Sequence, residues 1–476
     1  MDESSATRNQ YLAAICVNII SLSHGGFCGW TSASFVELLS PNSPLKAGPL
    51  DNHQIGWIGS LLCVGGALGT IFFSWCADKI GRKRCLLLIT LPALVGFTFS
   101  YGLQIIFILG WWIIPFAQNS LHLCLARLLG GFGGGGIFSV IPLYVTEFSE
   151  DKSRGILGTF LIVSCNTGIL VAFILGNFFT YSAVAWILSS LPLLFILCFA
   201  FLPESPQYLI NRNNIKGAEK SLRYFRNVKY SKHSLPLPVQ MEMDKLLDRA
   251  QSTESAPEEA QVGQKDLYNH KARKAFLIGV ALMALNQFCG CFAMINYTAN
   301  IFEQSGSSLS PNISAIVVGV IQLLGSCAST LLVERAGRKL LLVISSIGTG
   351  TGLGCLGGYI YLNALGYGTQ PFAWIPIASF SFTIFIGCWG VLTLPFVLVS
   401  EIMPPKIRSS GSMLCTLCMW TFAFVLIKYL PLMSAIMGMH GMMFFFASCS
   451  LSGALFVIVF VPETKGKSIE AILEKL

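Results

Sequence analysis

Two kinds of residue stand out because their surroundings make them costly. The segment NQFCGCFAMINYT (286–298) sets Asn286, Gln287, Asn296 and Tyr297 in an otherwise apolar run, and Gln322 stands alone among apolar residues further on. Polar groups in hydrocarbon cost free energy unless paired, so such residues mark either a ligand site or interhelical hydrogen bonds. A carboxamide offers donors and an acceptor together, which suits hydroxyl groups. Trp389, Phe396 and Trp420 lie in later apolar runs, where they serve either as flat apolar walls or as plain packing. The second kind is a charged corner that occurs twice. Glu147 is followed seven residues later by Arg154, and Glu401 seven residues later by Arg408. DKIGRKR (78–84) is matched by ERAGRKL (334–340), which adds Asp78, Arg82, Glu334 and Arg338.

The elements that hold these residues follow from composition. The chain has 476 residues, 54% of them hydrophobic and only 11% charged. A soluble domain carries about 25% charged residues. So apolar a chain belongs in a bilayer, where a helical span takes about 20 apolar residues. Runs near 11–34, 55–77, 86–117, 121–145, 156–177, 183–202, 275–302, 312–333, 340–362, 372–399, 411–432 and 440–461 predict twelve spans. The polar start MDESSATRNQ carries no cleavable leader pattern. With twelve spans both ends share a face. That face collects every Lys and Arg except Lys46, Arg127 and Lys428, which assigns it to the cytoplasm. The net charge of +8 is then a product of topology, and no nucleic-acid partner is implied. Most of the 16 cysteines fall within spans as small apolar side chains, and no disulfide is expected.

The charged corners recur at nearly one offset. Asp78 and Glu334 are 256 apart, Glu147 and Glu401 are 254 apart, and PESP (203–206) is echoed by PETKG (462–466) 259 further on. The predicted fold is all-α: a polytopic membrane protein of two pseudo-symmetric six-helix bundles, 1–202 and 275–462. A cytoplasmic segment with short helices (203–274) joins them, and a tail (463–476) follows. Parallel halves around an axis normal to the membrane place a site between them at mid-depth, with access by rocking.

Twelve spans, paired G-R-K corners, paired Glu/Arg corners, PESP and PETKG resemble the sugar porter family of the major facilitator superfamily over essentially the whole chain. The 286–298 segment and Lys428 are similar to insect trehalose and glucose facilitators within it. The resemblance implies facilitated transport of a hexose or a disaccharide such as trehalose across the plasma membrane. It places Asn286 and Gln287 against the sugar, Asn296 and Tyr297 at the outer gate, and Gln322 at a ligand position. It has the Glu and Arg corners pair across the halves when the inner mouth is shut. The family's glutamine in the fifth span falls at Ile162, its seventh-span asparagine at Phe292, its tenth-span tryptophan at Phe396 and its eleventh-span asparagine at Met419. The site is therefore less polar than usual, with Asn166 and Thr167 available to compensate. Proton-coupled members carry a first-span aspartate near the arginine of the fourth; here Cys28 stands at that position opposite Arg127. Uniport is expected, with proton symport and a non-sugar solute as the alternatives.

Weaker signals complete the reading. GFGGGG (131–136) has nucleotide-loop spacing but no preceding strand, so close helix packing is the better account. His24 is expected to pack quietly, and Lys428 to snorkel to the outer interface. Asn312-Ile-Ser314 is a glycosylation sequon in a predicted outer loop. The third run is long enough to suggest an insertion around 97–110. The central segment predicts helices at 215–227 and 239–250 and a flexible part at 251–264. No metal cluster or catalytic constellation is present, so neither an enzyme nor a cofactor is expected. The short tail argues against a non-transporting sensor, and a working monomer is expected.

Overall fold

The computed structural model describes residues 3–90, 106–228, 236–254, 270–305, 309–368, 370–404 and 407–465. Among these the regular elements are helical and no strand occurs. That is what a bilayer demands, because a helix satisfies its own backbone hydrogen bonds.

The first half runs through α1 (Glu3–Leu39), α2 (Asn52–Ile80), α3 (Arg82–Thr90), α4 (Ile106–Ile113), α5 (Ser120–Phe148), α6 (Asp151–Phe178) and α7 (Tyr181–Phe199). Three short helices follow: α8 (Pro206–Asn211), α9 (Ile215–Phe225) and α10 (Leu237–Glu254). The second half comprises α11 (His270–Phe288), α12 (Cys291–Asn296), α13 (Thr298–Ser305), α14 (Pro311–Ala336), α15 (Arg338–Ala364), α16 (Ile375–Trp389), α17 (Leu394–Ile402) and α18 (Arg408–Phe460). Ten of the described helical stretches are long and apolar enough to cross a membrane. The last of them is two helices joined at Gly438, whose φ of 72° breaks the helical path. The third span is present as its flanks, α3 and α4; its middle, with most of the suspected insertion, lies outside the described residues. Phe201, Leu121 and Leu331 are among many large apolar side chains left on the outside, as a lipid-facing surface requires.

The glycine run on α5 is a packing seam. A Cβ on Gly131 would sit 2.0 Å from the Leu62 carbonyl oxygen, and one on Gly69 of α2 the same distance from that of Phe132. Only glycine lets α2 and α5 approach this closely. The two halves meet along α2 with α18 and along α6 with α14. These contacts exchange with each other under the repeat, since α2 corresponds to α14 and α6 to the first part of α18.

The short helices form a small body with its own core of Ile210, Ala218, Leu222, Val239 and Met243. α9 and α10 lie where the sequence predicts 215–227 and 239–250. Arg226 pairs with Glu242 of α10 at 2.5 Å and fastens this body to the first half through Glu150 at 3.3 Å and the Phe148 carbonyl at 2.9 Å. Phe225 stacks on Phe148 with ring centroids 4.6 Å apart.

Candidate functional site

The duplicated corners repeat one capping arrangement. At the start of α3, Glu204 accepts hydrogen bonds from the Arg82 and Lys83 amides, both at 3.0 Å. At the start of α15, Glu463 accepts from the Arg338 and Lys339 amides, both at 3.1 Å. Each carboxylate thus caps a helix N-terminus, where unpaired amides and the helix dipole favour negative charge. Gly81 and Gly337 make the turn with φ of 100° and 89°. Lys83 reaches the Ala200 carbonyl at 2.7 Å, and Lys339 the Ile458 carbonyl at 2.8 Å. The PESP and PETKG echo noted in the sequence is the pair of caps. Their role was not inferred there.

In this structure the gate residues that are described pair within each half. Arg82 binds Glu147 at 2.9 Å and Asp78 at 3.5 Å, within the first half, and Ser205 donates its hydroxyl to Glu147. Arg338 binds Glu401 at 3.5 Å, within the second half. The reason is local: the start of each capped helix lies against the end of the span that carries the glutamate. Arg154 is exposed on the first turns of α6. The side chains of Glu334 and Arg408 lie outside the described residues.

Between the halves is a cavity with about 1000 Å³ of empty space. Asn286, Gln287, Gln322, Phe396 and Trp420 line it, as do His24, Cys28 and Asn166. So do Ile162, Phe292 and Met419, which completes the four positions where the sequence reading finds an apolar replacement. Asn286 donates to the Val391 carbonyl at 2.7 Å and accepts from Gln287 at 2.7 Å. Gln322 donates to Asn166 at 2.9 Å, and Asn166 donates to Ser326 at 2.5 Å, so this chain of amides crosses from one half to the other. Trp420 also crosses, its indole N–H donating to Thr70 at 3.2 Å. Trp389 does not line the cavity. It is one residue past Cys388, which does, so the helix turns it away onto Phe385 at 5.3 Å.

Asn296 and Tyr297 sit above the cavity, toward the face opposite the basic corners. There the halves are sealed together. Thr31 donates to Asn296 at 3.2 Å, the Ala299 amide donates to Ser32 at 3.0 Å, and Phe35 packs on Tyr297 at 5.4 Å. Lys428 does not snorkel outward. Its ammonium lies 3.6 Å from the centroid of Trp57 in the other half, with Phe424 and Tyr429 beside it at 5.5 and 5.3 Å. A cation over aromatic faces is held electrostatically, and here it joins α2 to α18. Asn312 is half-buried in the first turn of α14, with Ser314 of its sequon fully buried.

Arg127 is fully buried beneath this seal. Its guanidinium donates to the Phe27 carbonyl and, at 3.3 Å, to the Ile58 carbonyl, and lies 5.4 Å from the Phe27 ring. Cys28 occupies the neighbouring position, with its sulfur 3.8 Å from His24 Nε2. The arginine is thus held by carbonyls and a ring.

Two bundles of spans around a central cavity, sealed on one face and built from a repeated charged corner, are the arrangement of a membrane transporter. Residues 12–476 match the family described as Sugar (and other) transporter. The chain is 32% identical over 470 residues to the facilitated trehalose transporter Tret1 of Bombyx mori, covering 98% of this chain and 86% of that protein. It is also 32% identical over 468 residues to Tret1 of Polypedilum vanderplanki, covering 98% and 88%. Among solved structures, the inward open xylose transporter XylE from E. coli superposes with a TM-score of 0.75 at 20% identity, covering 98% of this chain and 99% of that one. The chain belongs to the Sugar (and other) transporter family, and its fold is the major facilitator fold. It carries sugar across a membrane, and it is a transporter rather than an enzyme.

Proposed function

We propose that this transporter is a uniporter of a hexose or a hexose-containing solute such as the trehalose named for its relatives. It works as a monomer in the plasma membrane with both termini in the cytoplasm. The halves are 1–202 and 275–462, the linker is 203–274 and the tail 463–476. The face with the basic corners is the cytoplasmic one, so the sealed face is extracellular. Substrate rests against Gln287 and Gln322, with Asn286 positioning Gln287 and with Phe396 and Trp420 as walls. Asn296 and Tyr297 belong to the outer gate, and the Arg82–Glu147 and Arg338–Glu401 pairs to the inner one.

The observation that carries uniport is the setting of Arg127. Coupling needs a carboxylate that changes protonation as the transporter cycles. Here Arg127 donates to two carbonyls from Nε and Nη1 and lies beside a ring and a cysteine, with Nη2 left without a partner and no ion pair to it among the described residues. The test uses proteoliposomes loaded with a pH-reporting dye. Sugar uptake down its gradient with no internal pH change is expected; acidification in step with uptake would establish symport.

A further inference from the structure

The cavity has little hydrogen-bonding capacity left to offer. Asn286 uses its amide nitrogen on the Val391 carbonyl and its oxygen on Gln287. Asn166 is engaged at both ends, by Gln322 and Ser326. Thr393 and Thr416 turn their hydroxyls back onto the Cys388 and Ser412 carbonyls at 3.1 and 2.9 Å. The Trp420 N–H is spent on Thr70. Among the lining side chains, two amides keep the clearest open capacity. Gln322 Oε1 is buried without a partner among the described residues, and Gln287 uses one amide proton on Asn286. Both belong to the second half, on α14 and α11. Around them Phe138, Ile162, Phe292, Leu392, Phe396 and Met419 supply an apolar lining from five other helices and the turn before α17.

A free hexose or a disaccharide enclosed here would leave most of its hydroxyls unpaired once water is excluded. Each unpaired hydroxyl costs about tenfold in affinity. An apolar group against the same lining gains about fourfold for each buried CH₂. Resting on the sugar-transport reading, we propose that the preferred substrate is a hexose unit bearing an apolar substituent. In chemical terms this is an alkyl or aryl glycoside, with one hydroxylated edge on Gln287 and Gln322 and its aglycone on the apolar wall.

The test uses the full chain in proteoliposomes, with phenyl β-D-glucopyranoside, D-glucose and trehalose as probes and methyl, ethyl and propyl glucosides as competitors. Phenyl glucoside is expected to enter with a KM at least tenfold below those of D-glucose and trehalose. Inhibition is expected to tighten about fourfold for each CH₂ added. In the Phe292→Asn/Met419→Asn double variant, the preference for phenyl glucoside is expected to fall about tenfold; the alkyl series on the unmodified protein decides the matter without that variant. Entry of trehalose or D-glucose with a KM equal to or below that of phenyl glucoside, with a flat alkyl series, would overturn the proposal while leaving sugar transport intact. A folded protein that takes up none of the three would overturn both.

Discussion

Replacing Gly56 by alanine should hold the sealed face apart. A Cβ at this position would lie 2.5 Å from the Lys428 backbone oxygen, across the boundary between the halves. A carbonyl oxygen cannot rotate away as a side chain can, so the helices must separate. Overpacking of this kind costs about 1–3 kcal/mol. The strain is confined to the sealed state, because α2 and α18 part when that face opens. The equilibrium should therefore move toward the opened face by about 5- to 150-fold. Two other glycines supply controls. A Cβ on Gly65 would sit 2.0 Å from the Leu128 carbonyl, inside the first half, so alanine there should damage folding in either state. Gly158 has nothing within 4 Å of its Cβ and should tolerate alanine. The assay is labelling of an Ile295→Cys reporter, which lies in the cavity, by a membrane-impermeant maleimide added on the extracellular side. Faster labelling is expected with Gly56→Ala and an unchanged rate with Gly158→Ala. Equal rates in two well-folded variants would refute the reasoning, because the α2–α18 contact would then not report the state of the transporter.

Further outcomes follow from the same geometry. Gln287→Ala removes an open amide from the cavity and should raise the KM for the transported sugar by about 2- to 10-fold, from the worth of one hydrogen bond; an unchanged KM would remove Gln287 from the site. Lys428→Met keeps an unbranched apolar stem one atom shorter and removes the charge, so a cation–π contact worth about 0.5–2 kcal/mol is lost and extracellular labelling of the reporter should quicken. Burial raises the Glu463 carboxyl, but amide hydrogen bonds from Lys465, Arg338, Lys339 and Thr464 together hold it below its usual value of 4.5. A carboxyl depressed on folding stabilises the protein fully above its unfolded value and progressively less as pH falls through the folded one. Melting curves should therefore lose stability below about pH 4.5, and Glu463→Gln should flatten that acid limb.

Much of the architecture could be read from the sequence because a bilayer leaves few options. Apolar runs led to the membrane-spanning helices, and the repeated corners to the paired helix starts that Glu204 and Glu463 cap. The four apolar replacements at Ile162, Phe292, Phe396 and Met419 also pointed to a cavity poorer in polar groups, and all four line it. What escaped depends on rotation about a helix or on contacts between distant helices. Trp389 and Cys388 are adjacent in sequence, yet only the cysteine faces the cavity. Lys428 near the end of a span looks like any snorkelling lysine until Trp57, far away in the chain, is brought beneath it. The capping roles of Glu204 and Glu463 went unread because nothing local shows that each caps a helix begun more than a hundred residues earlier.

The central claim is that the two halves rock around the cavity, one face opening as the other closes. Double electron–electron resonance between paired spin labels tests it most directly. One pair, at His53 and Ala435, spans the sealed face; a second pair, at Arg84 and Arg335, spans the basic face. Comparing the Gly56→Ala variant with the unmodified protein, the first distance should lengthen and the second should shorten. Distances that lengthen together, or that stay fixed while sugar is transported, would contradict it.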